Sequence, residues 1–272
     1  WIMGHMVNDL EMVDYYVDKG ANGLEIDITF NSNGIAEYTY HGVPCDCFRN
    51  CRRNTTLSTY LNYVRQLTTP GDQKFRQNLI FIIMDLKLNR LKSQALFNAG
   101  LSIADRLTQY YWKDDGKARA YFLLSVPYVR QAAFIRGFQS RFEEKGLKKY
   151  YEKIGWDFSA NEDLNRIREA YQKLNISGHI WQSDGITNCL TRRTRRLKEA
   201  IRKRDSPGWY INKVYSWSLD RYKSIKYALD LGVDGVMSNY ADRLVKILSK
   251  GTYKRRFRLA THEDNPWETF TP

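Results

Sequence analysis

The chain has 272 residues, 43% of them hydrophobic, enough for one large core. Its apolar runs are far shorter than a membrane span needs, and no linker or low-complexity segment interrupts it, so residues 1–272 read as one domain. The formal net charge of +13 suits phosphate-bearing substrates, anionic membrane surfaces or nucleic acid, but no HTH, RRM, KH or zinc-finger pattern accompanies it, and nucleic acid is set aside.

Taken in order, strands and helices alternate. A first strand over residues 1–5 ends in His5. An amphipathic helix over 7–18 puts Leu10, Val13, Tyr16 and Val17 on one face and stops at Gly20. The second strand, 23–29, carries Glu25 and Asp27. Strand side chains alternate, so these two carboxylates point one way while Leu24, Ile26 and Ile28 point the other. After a turn at 31–34, a short strand over 37–41 delivers His41 into a cysteine-rich loop. A helix over 56–67 precedes the third strand, 79–87, which ends in Asp85 and Lys87, again two apart and facing together. Helices follow at 93–110, 129–145, 163–174, 191–204, 218–231 and 241–249, the last but one capped by Ser218. Strands fall between them at 120–125, 156–159, 178–182, 210–217 and 233–239. Eight strand–helix units in about 250 residues is the rhythm of an α/β (β/α)8 TIM barrel, whose chemistry sits at the C-terminal ends of the strands. The tail, 251–272, has no ninth strand to join and is expected to plug one end of the barrel.

Polar groups gather at those strand ends. Glu25, Asp27 and Asp85 make an oxygen-ligand set that suits one Mg²⁺, completed by water and a substrate phosphate oxygen. Lys87 adds positive charge where negative charge builds up. His5 and His41 supply an acid and a base for phosphoryl transfer on a diester near neutral pH. His179 and His262 stand beside no other candidate group and read as structural. Tyr215 and Trp217 share a face of their strand and could hold an ammonium headgroup by cation–π attraction, with barrel packing as the alternative. Asp157 and Ser183 are further headgroup candidates by position alone. The basic run from Arg192 to Arg204 reads as a solvated helix face packed through Leu197, Ala200 and Ile201, with contact to anionic lipid as the alternative.

Four cysteines, Cys45, Cys47, Cys51 and Cys189, permit three pairings. Cys45–Cys51 with Cys47–Cys189 would close a small loop and tie it to a distant part of the fold. Zinc is the rival, but a second CxxC is missing and only His41 is near. Disulfides imply an oxidising, secretory compartment. Sequons at Asn54 and Asn175 are compatible with it. No signal peptide is visible, and a chain that starts almost at once on a strand is expected to have had its natural N-terminus trimmed.

Several segments together resemble the spider-venom sphingomyelinase D/phospholipase D toxins, a branch of the glycerophosphodiester phosphodiesterase-like barrels. They are Trp1-Ile2-Met3-Gly4-His5-Met6-Val7-Asn8, Gly20-Ala21-Asn22 through Asp27, Tyr38-Thr39-Tyr40-His41-Gly42 with Cys45-Asp46-Cys47, Met84-Asp85-Leu86-Lys87, and Trp181 to Cys189. Gly208 to Tyr215, Asp234-Gly235 and the tail from Asp264 to Phe270 also match. The resemblance implies that His5 and His41 are the acid/base or nucleophile pair, that Glu25, Asp27 and Asp85 bind Mg²⁺, and that Lys87 contacts phosphate. It implies a supporting network of Asp46, Asp220 and Asn239, a pocket wall at Trp217, the two-disulfide pairing above, and a tail that plugs the barrel. The implied protein is a secreted, monomeric venom enzyme working on lipid at a membrane surface. The implied reaction is transphosphatidylation of sphingomyelin, ceramide phosphoethanolamine or lysophospholipids: the lipid's own hydroxyl expels choline or ethanolamine and leaves a cyclic phosphate. Tyr128 to Gln131, Trp156 and the pair Ser216-Trp217 differ from the choline-preferring branch and leave ethanolamine lipids as candidates. Two rival readings are a phosphodiesterase for small soluble glycerophosphodiesters and a non-catalytic basic barrel that binds membranes.

Overall fold

The structure is a computed structural model that describes residues 1–191 and 193–269. Its strands, in chain order, are β1 (Ile2–Gly4), β2 (Gly23–Phe30), β3 (Ala36–Tyr40), β4 (Asn54–Thr56), β5 (Phe81–Leu86), β6 (Tyr121–Val126), β7 (Ile154–Phe158), β8 (Trp181–Gly185), β9 (Lys213–Trp217) and β10 (Gly235–Ser238). Eight of them run parallel in the spatial order β7-β6-β5-β2-β1-β10-β9-β8. The two ends meet where Trp156 donates its backbone N–H to the His179 carbonyl at 2.8 Å, so the sheet closes as a barrel. The fold class expected from the strand–helix rhythm is therefore the one found. β3 and β4 leave the barrel as an antiparallel extension of β2.

The helices are α1 (Leu10–Asp18), α2 (Leu57–Thr68), α3 (Ser93–Arg106), α4 (Ala133–Glu144), α5 (Leu164–Lys173), α6 (Arg195–Arg204), α7 (Tyr222–Leu231), α8 (Ala241–Leu248) and α9 (Gly251–Arg256). Each barrel strand is covered by helices on its outer face and by other strands' side chains inside, which is why these strands read as near-continuous apolar runs. The end of the 93–110 helix is a π turn, Leu107–Trp112, and the start of the 129–145 helix is a short 3-10 turn, Val129–Gln131. α6 begins at Arg195, and Arg192 lies outside the described residues. Ser218 does not cap α7, which starts four residues later. Its hydroxyl instead donates to Asp46 at 2.9 Å, so tertiary contact overrides the local capping preference.

Inside the barrel, Met3, Phe81, Ile83, Leu123, Trp181, Tyr215 and Met237 pack together with Trp267 from the tail. The tail crosses the N-terminal end of the barrel. Asn22 donates to the Ala260 carbonyl at 2.8 Å, Trp181 Nε1 to the Pro266 carbonyl at 2.8 Å, and Lys213 Nζ to the Glu268 carbonyl at 2.6 Å. Trp267 is 6% exposed, stacks on His179 with centroids 5.1 Å apart, and donates Nε1–H to the Glu152 carbonyl at 2.7 Å. Its ring lies where Gly155 would carry a Cβ, within 2.2 Å of that position, so only glycine fits opposite it on β7. His179 thus serves packing. Phe270, counted with the matching tail, lies outside the described residues.

Replacing a fully packed tryptophan by alanine leaves a cavity and typically costs about 3–5 kcal/mol. Trp267→Ala is expected to lower the unfolding free energy by about that amount in urea titrations. An unchanged midpoint would mean that the tail does not seal the barrel in solution.

Candidate functional site

The site opens at the other end of the barrel, on the loops that follow β1, β2, β5, β8, β9 and β10. β2 and β5 are parallel neighbours with Asp27 opposite Asp85. Period-two alternation sends Glu25, Asp27 and Asp85 into the barrel. Ligand oxygens of all three lie within 4.8 Å of one another. Lys87, just past the end of β5, crosses back and places Nζ 2.6 Å from both Asp27 Oδ1 and Asp85 Oδ2. The residue that holds this arrangement from below is Asn8. Its Nδ2 donates to Asp27 Oδ2 at 2.6 Å, while its Oδ1 accepts the Asp27 backbone N–H at 2.9 Å. Glu25 Oε2 accepts the Met6 N–H at 2.7 Å.

These neighbours divide the carboxylates. Burial works against the charged form of Asp27, but the Lys87 ammonium, His41 and the Asn8 amide together hold its pKa below the usual value. Glu25 is pushed up to about 8, first by burial and then by the charge of Asp27, with His5 pulling against them. Burial alone would lower the Lys87 pKa; Asp27, Asp85 and Glu25 reverse that and raise it.

His5 lies 8% exposed at the end of β1. Its Nδ1 is 3.2 Å from Asp46 Oδ2 and 3.0 Å from Asn239 Oδ1, two acceptors that fix the proton on Nδ1. Nε2 is left facing Glu25 Oε2 at 3.9 Å. Burial would lower the His5 pKa, but the Asp46 hydrogen bond and the charges of Glu25, Asp46 and Asp27 overcome it and lift it to about 9. Asp46 is held well below its usual range: burial opposes this, but His5, Thr187 and Ser218 hydrogen-bond to its charged form. Behind this pair, Asp220 accepts from the Asn239 backbone N–H at 2.9 Å, from Asn239 Nδ2 at 2.8 Å and from Asn188 Nδ2 at 2.8 Å. Arg49 donates to the His5 carbonyl at 3.0 Å and to Tyr16 Oη at 2.7 Å.

His41 is half-buried at the end of β3. Its Nδ1 lies 2.7 Å from the Gly42 carbonyl, an acceptor only, so Nδ1 donates to it and Nε2 is the ring nitrogen left for other partners. The cysteines pair as Cys45–Cys51 and Cys47–Cys189, which removes the zinc alternative. Asn188 reinforces the second bridge, exchanging two 3.2 Å hydrogen bonds with the backbone of Cys47.

The headgroup candidates separate. Asp157, Ser183 and Tyr215 come together, but with one another: Tyr215 Oη donates to Asp157 at 2.8 Å and the Ser183 backbone N–H donates to it at 3.1 Å. All three are buried inside the barrel, and burial pushes Asp157 up to about 6. Trp217 is only half-buried and lies flat over Gly185 of β8, within 2.1 Å of where a Cβ would stand. Trp156 is not a pocket residue. Alternation turns it outward, and it packs edge-on to Phe138 of α4 at 5.5 Å. Ser216 faces outward too, lining a cavity of about 410 Å³ between β9, α6 and α7. Asn54 and Asn175 are both exposed. Sequence reasoning missed Asn8, Thr187, Asn188, Ser218 and Arg49 as site residues. Asn8 had a usable signal, three residues after His5; the others act through contacts more than 30 residues away in the chain.

The dermonecrotic toxin SPH family model matches residues 1–267. The chain is 78% identical over 271 residues to dermonecrotic toxin SpeSicTox-betaIF1 of Sicarius peruensis, covering 99% of this chain and 100% of the relative. It is 73% identical over 261 residues to SpaSicTox-betaIF1 of Sicarius patagonicus, covering 96% and 99%. It is 58% identical over 269 residues to LspiSicTox-betaIE1ii of Loxosceles spinulosa, covering 98% of both. Among solved structures, a glycerophosphodiester phosphodiesterase from Parabacteroides distasonis superposes with TM-score 0.59 at 14% identity, over 94% of this chain and 98% of that one. An Oleispira antarctica phosphodiesterase in complex with sn-glycerol-3-phosphate superposes with TM-score 0.57 at 13% identity, over 92% and 96%. At such identity these two speak for the barrel alone. With nearly its whole length matched and more than three-quarters of its residues shared with one of its toxins, the chain belongs to the dermonecrotic toxin family.

Proposed function

We propose that residues 1–272 form one catalytic unit that removes the headgroup from sphingolipids and lysophospholipids by internal attack, with one Mg²⁺ held by Glu25, Asp27 and Asp85. As a dermonecrotic toxin the protein is a secreted, lipid-acting enzyme of the sphingomyelinase D, phospholipase D type. No helix among the described residues is long and apolar enough to cross a membrane, and we take the protein to reach lipid from the surface as a monomer. The observation that carries the reading is the convergence of three carboxylates, one lysine and two imidazoles, each anchored through Nδ1, at one barrel mouth.

The donor set fits a hard dication. All three ligands are oxygens, their spacing allows a common centre, and burial followed by the charge of Asp27 raises the Glu25 pKa to about 8. Bound there, Mg²⁺ would draw charge from a non-bridging phosphate oxygen and orient the phosphorus. The chain's own groups do the rest. Lys87 stands beside two of the ligands and stabilises charge on the phosphate. His41 Nε2 takes the proton of the lipid hydroxyl as its oxygen bonds to phosphorus. His5 gives its Nε2 proton to the headgroup oxygen as that P–O bond breaks. Asp46 and Asn239 keep His5 in the orientation and charge state for this role. The products are a cyclic phosphate and free choline or ethanolamine, favoured over hydrolysis because the internal hydroxyl needs no encounter. Trp217 forms the headgroup wall, and the Asp157–Ser183–Tyr215 cluster forms the floor beneath it, with Asp220 as the outer support.

His5→Asn and His41→Asn should each lower kcat at least about 10²-fold while leaving the melting temperature within a few degrees. Phosphorus NMR of the wild-type products should show a cyclic phosphate; a linear monoester would favour a glycerophosphodiester hydrolase instead. Matched choline and ethanolamine sphingolipids in the same assay assign the headgroup.

Metal uptake should also be linked to protons. The raised Glu25 pKa means that its contribution to stability is present below the unfolded value and is lost as pH rises through about 8. Mg²⁺ needs the carboxylate, so binding at pH 7 should release on the order of one proton, and affinity should climb from pH 6 to pH 8. Calorimetry in two buffers of different ionisation enthalpy measures the release, and Glu25→Gln should remove it. PH-independent binding without release would take Glu25 out of the ligand set.

A further inference from the structure

Among the described residues, the three most exposed large apolar side chains are Phe48 (101%), Val43 (75%) and Leu190 (57%). They are not scattered. Phe48 follows Cys47 and Leu190 follows Cys189, and those two cysteines are bonded to each other. Val43 lies in the same loop, two residues from His41. Single exposed apolar residues need no explanation, but a phenylalanine, a valine and a leucine gathered on adjoining loops form a surface that water disfavours.

Their position bears on the site. Asp46, between Cys45 and Cys47, accepts a hydrogen bond from Thr187 and lies 3.2 Å from His5. The apolar tips therefore stand over the mouth through which a lipid would enter. Beside them, Arg193 and Arg195 follow Leu190, and Arg52 follows Cys51, all exposed. Apolar tips ringed by cations match a bilayer surface, where acyl chains take up the first and lipid phosphates the second. The chain's excess of +13 works in the same direction.

We propose that Val43, Phe48 and Leu190, held together by the Cys47–Cys189 bridge, are the element by which this protein inserts into a lipid bilayer, with the barrel mouth facing the headgroups. This rests on the lipid-cleaving reading above, and it assigns the docking face of that same site.

The test uses the full chain and the triple variant Val43→Ser/Phe48→Ser/Leu190→Ser. All three side chains face solvent, so the variant should melt like wild type. Binding is measured by sedimentation with vesicles of phosphatidylcholine and phosphatidylserine. Turnover is measured on vesicles containing sphingomyelin and, separately, on a lysolipid below its critical micelle concentration. Losing the largest of these anchors alone should weaken vesicle binding about tenfold to a hundredfold, and the triple variant at least as much. Vesicle turnover should fall in step, with kcat/KM on the monomeric lysolipid within about twofold of wild type. Equal vesicle binding by both proteins would overturn the proposal. So would an equal loss on monomeric substrate, which would put these residues inside the pocket, or a wild-type dimer that the substitutions dissociate in ultracentrifugation. If wild type cleaves no lipid yet binds vesicles through these residues, the docking face stands and the functional reading falls.

Discussion

Like charge crowded into a small volume is the constraint around which this barrel is arranged. Glu25, Asp27 and Asp85 cannot all be ionised within 4.8 Å of one another without a compensating cation. The protein meets part of that demand itself. Lys87 bridges two of the carboxylates, Asn8 hydrogen-bonds one, and burial with the Asp27 charge raises the pKa of Glu25. The charge left uncompensated is what a divalent ion would take up. A site that relaxed fully on its own would have nothing left with which to bind one.

The same field governs His5. Burial would ordinarily lower the pKa of such an imidazole, yet Asp46, Glu25 and Asp27 raise it. Asp46 is able to do so because Thr187 and Ser218 satisfy its oxygens and Asn239 sits between it and Asp220. The chain of contacts continues through Asn188 to the Cys47–Cys189 bridge. One network thus ties the orientation of a proposed catalytic ring to the loops that rim the site. The disulfides hold the loops, and the loops hold Asp46 against His5.

The two ends of the barrel solve opposite problems. At the N-terminal end the tail excludes water by inserting Trp267 against Gly155 and stacking it on His179. At the C-terminal end the mouth must admit a phosphodiester, so Asp85 and Lys87 remain partly open while Glu25 and Asp27 are sealed beneath them.

The carboxylate set, His5, His41 and the barrel were legible in the sequence because each depends on local rules. Period-two alternation fixes which strand residues share a face, and the strand–helix rhythm fixes the end at which they meet. The sequence also contained both members of every ion pair in the site. What it left open follows from contacts distant along the chain. Ser218 has the chemistry of a helix cap, and only the folded chain directs its hydroxyl to Asp46, 172 residues away. Trp156 and Trp217 are both tryptophans near strand ends, yet one faces the helix layer and the other the barrel interior, because the face inward is set by register within the closed barrel. Tyr215, Asp157 and Ser183 came from three different strands, and only barrel closure turned three separate candidates into one buried cluster. The sequence by itself determined the charges and their alternation; the tertiary structure decided which of them neutralise one another, since that depends on distances the linear chain does not contain.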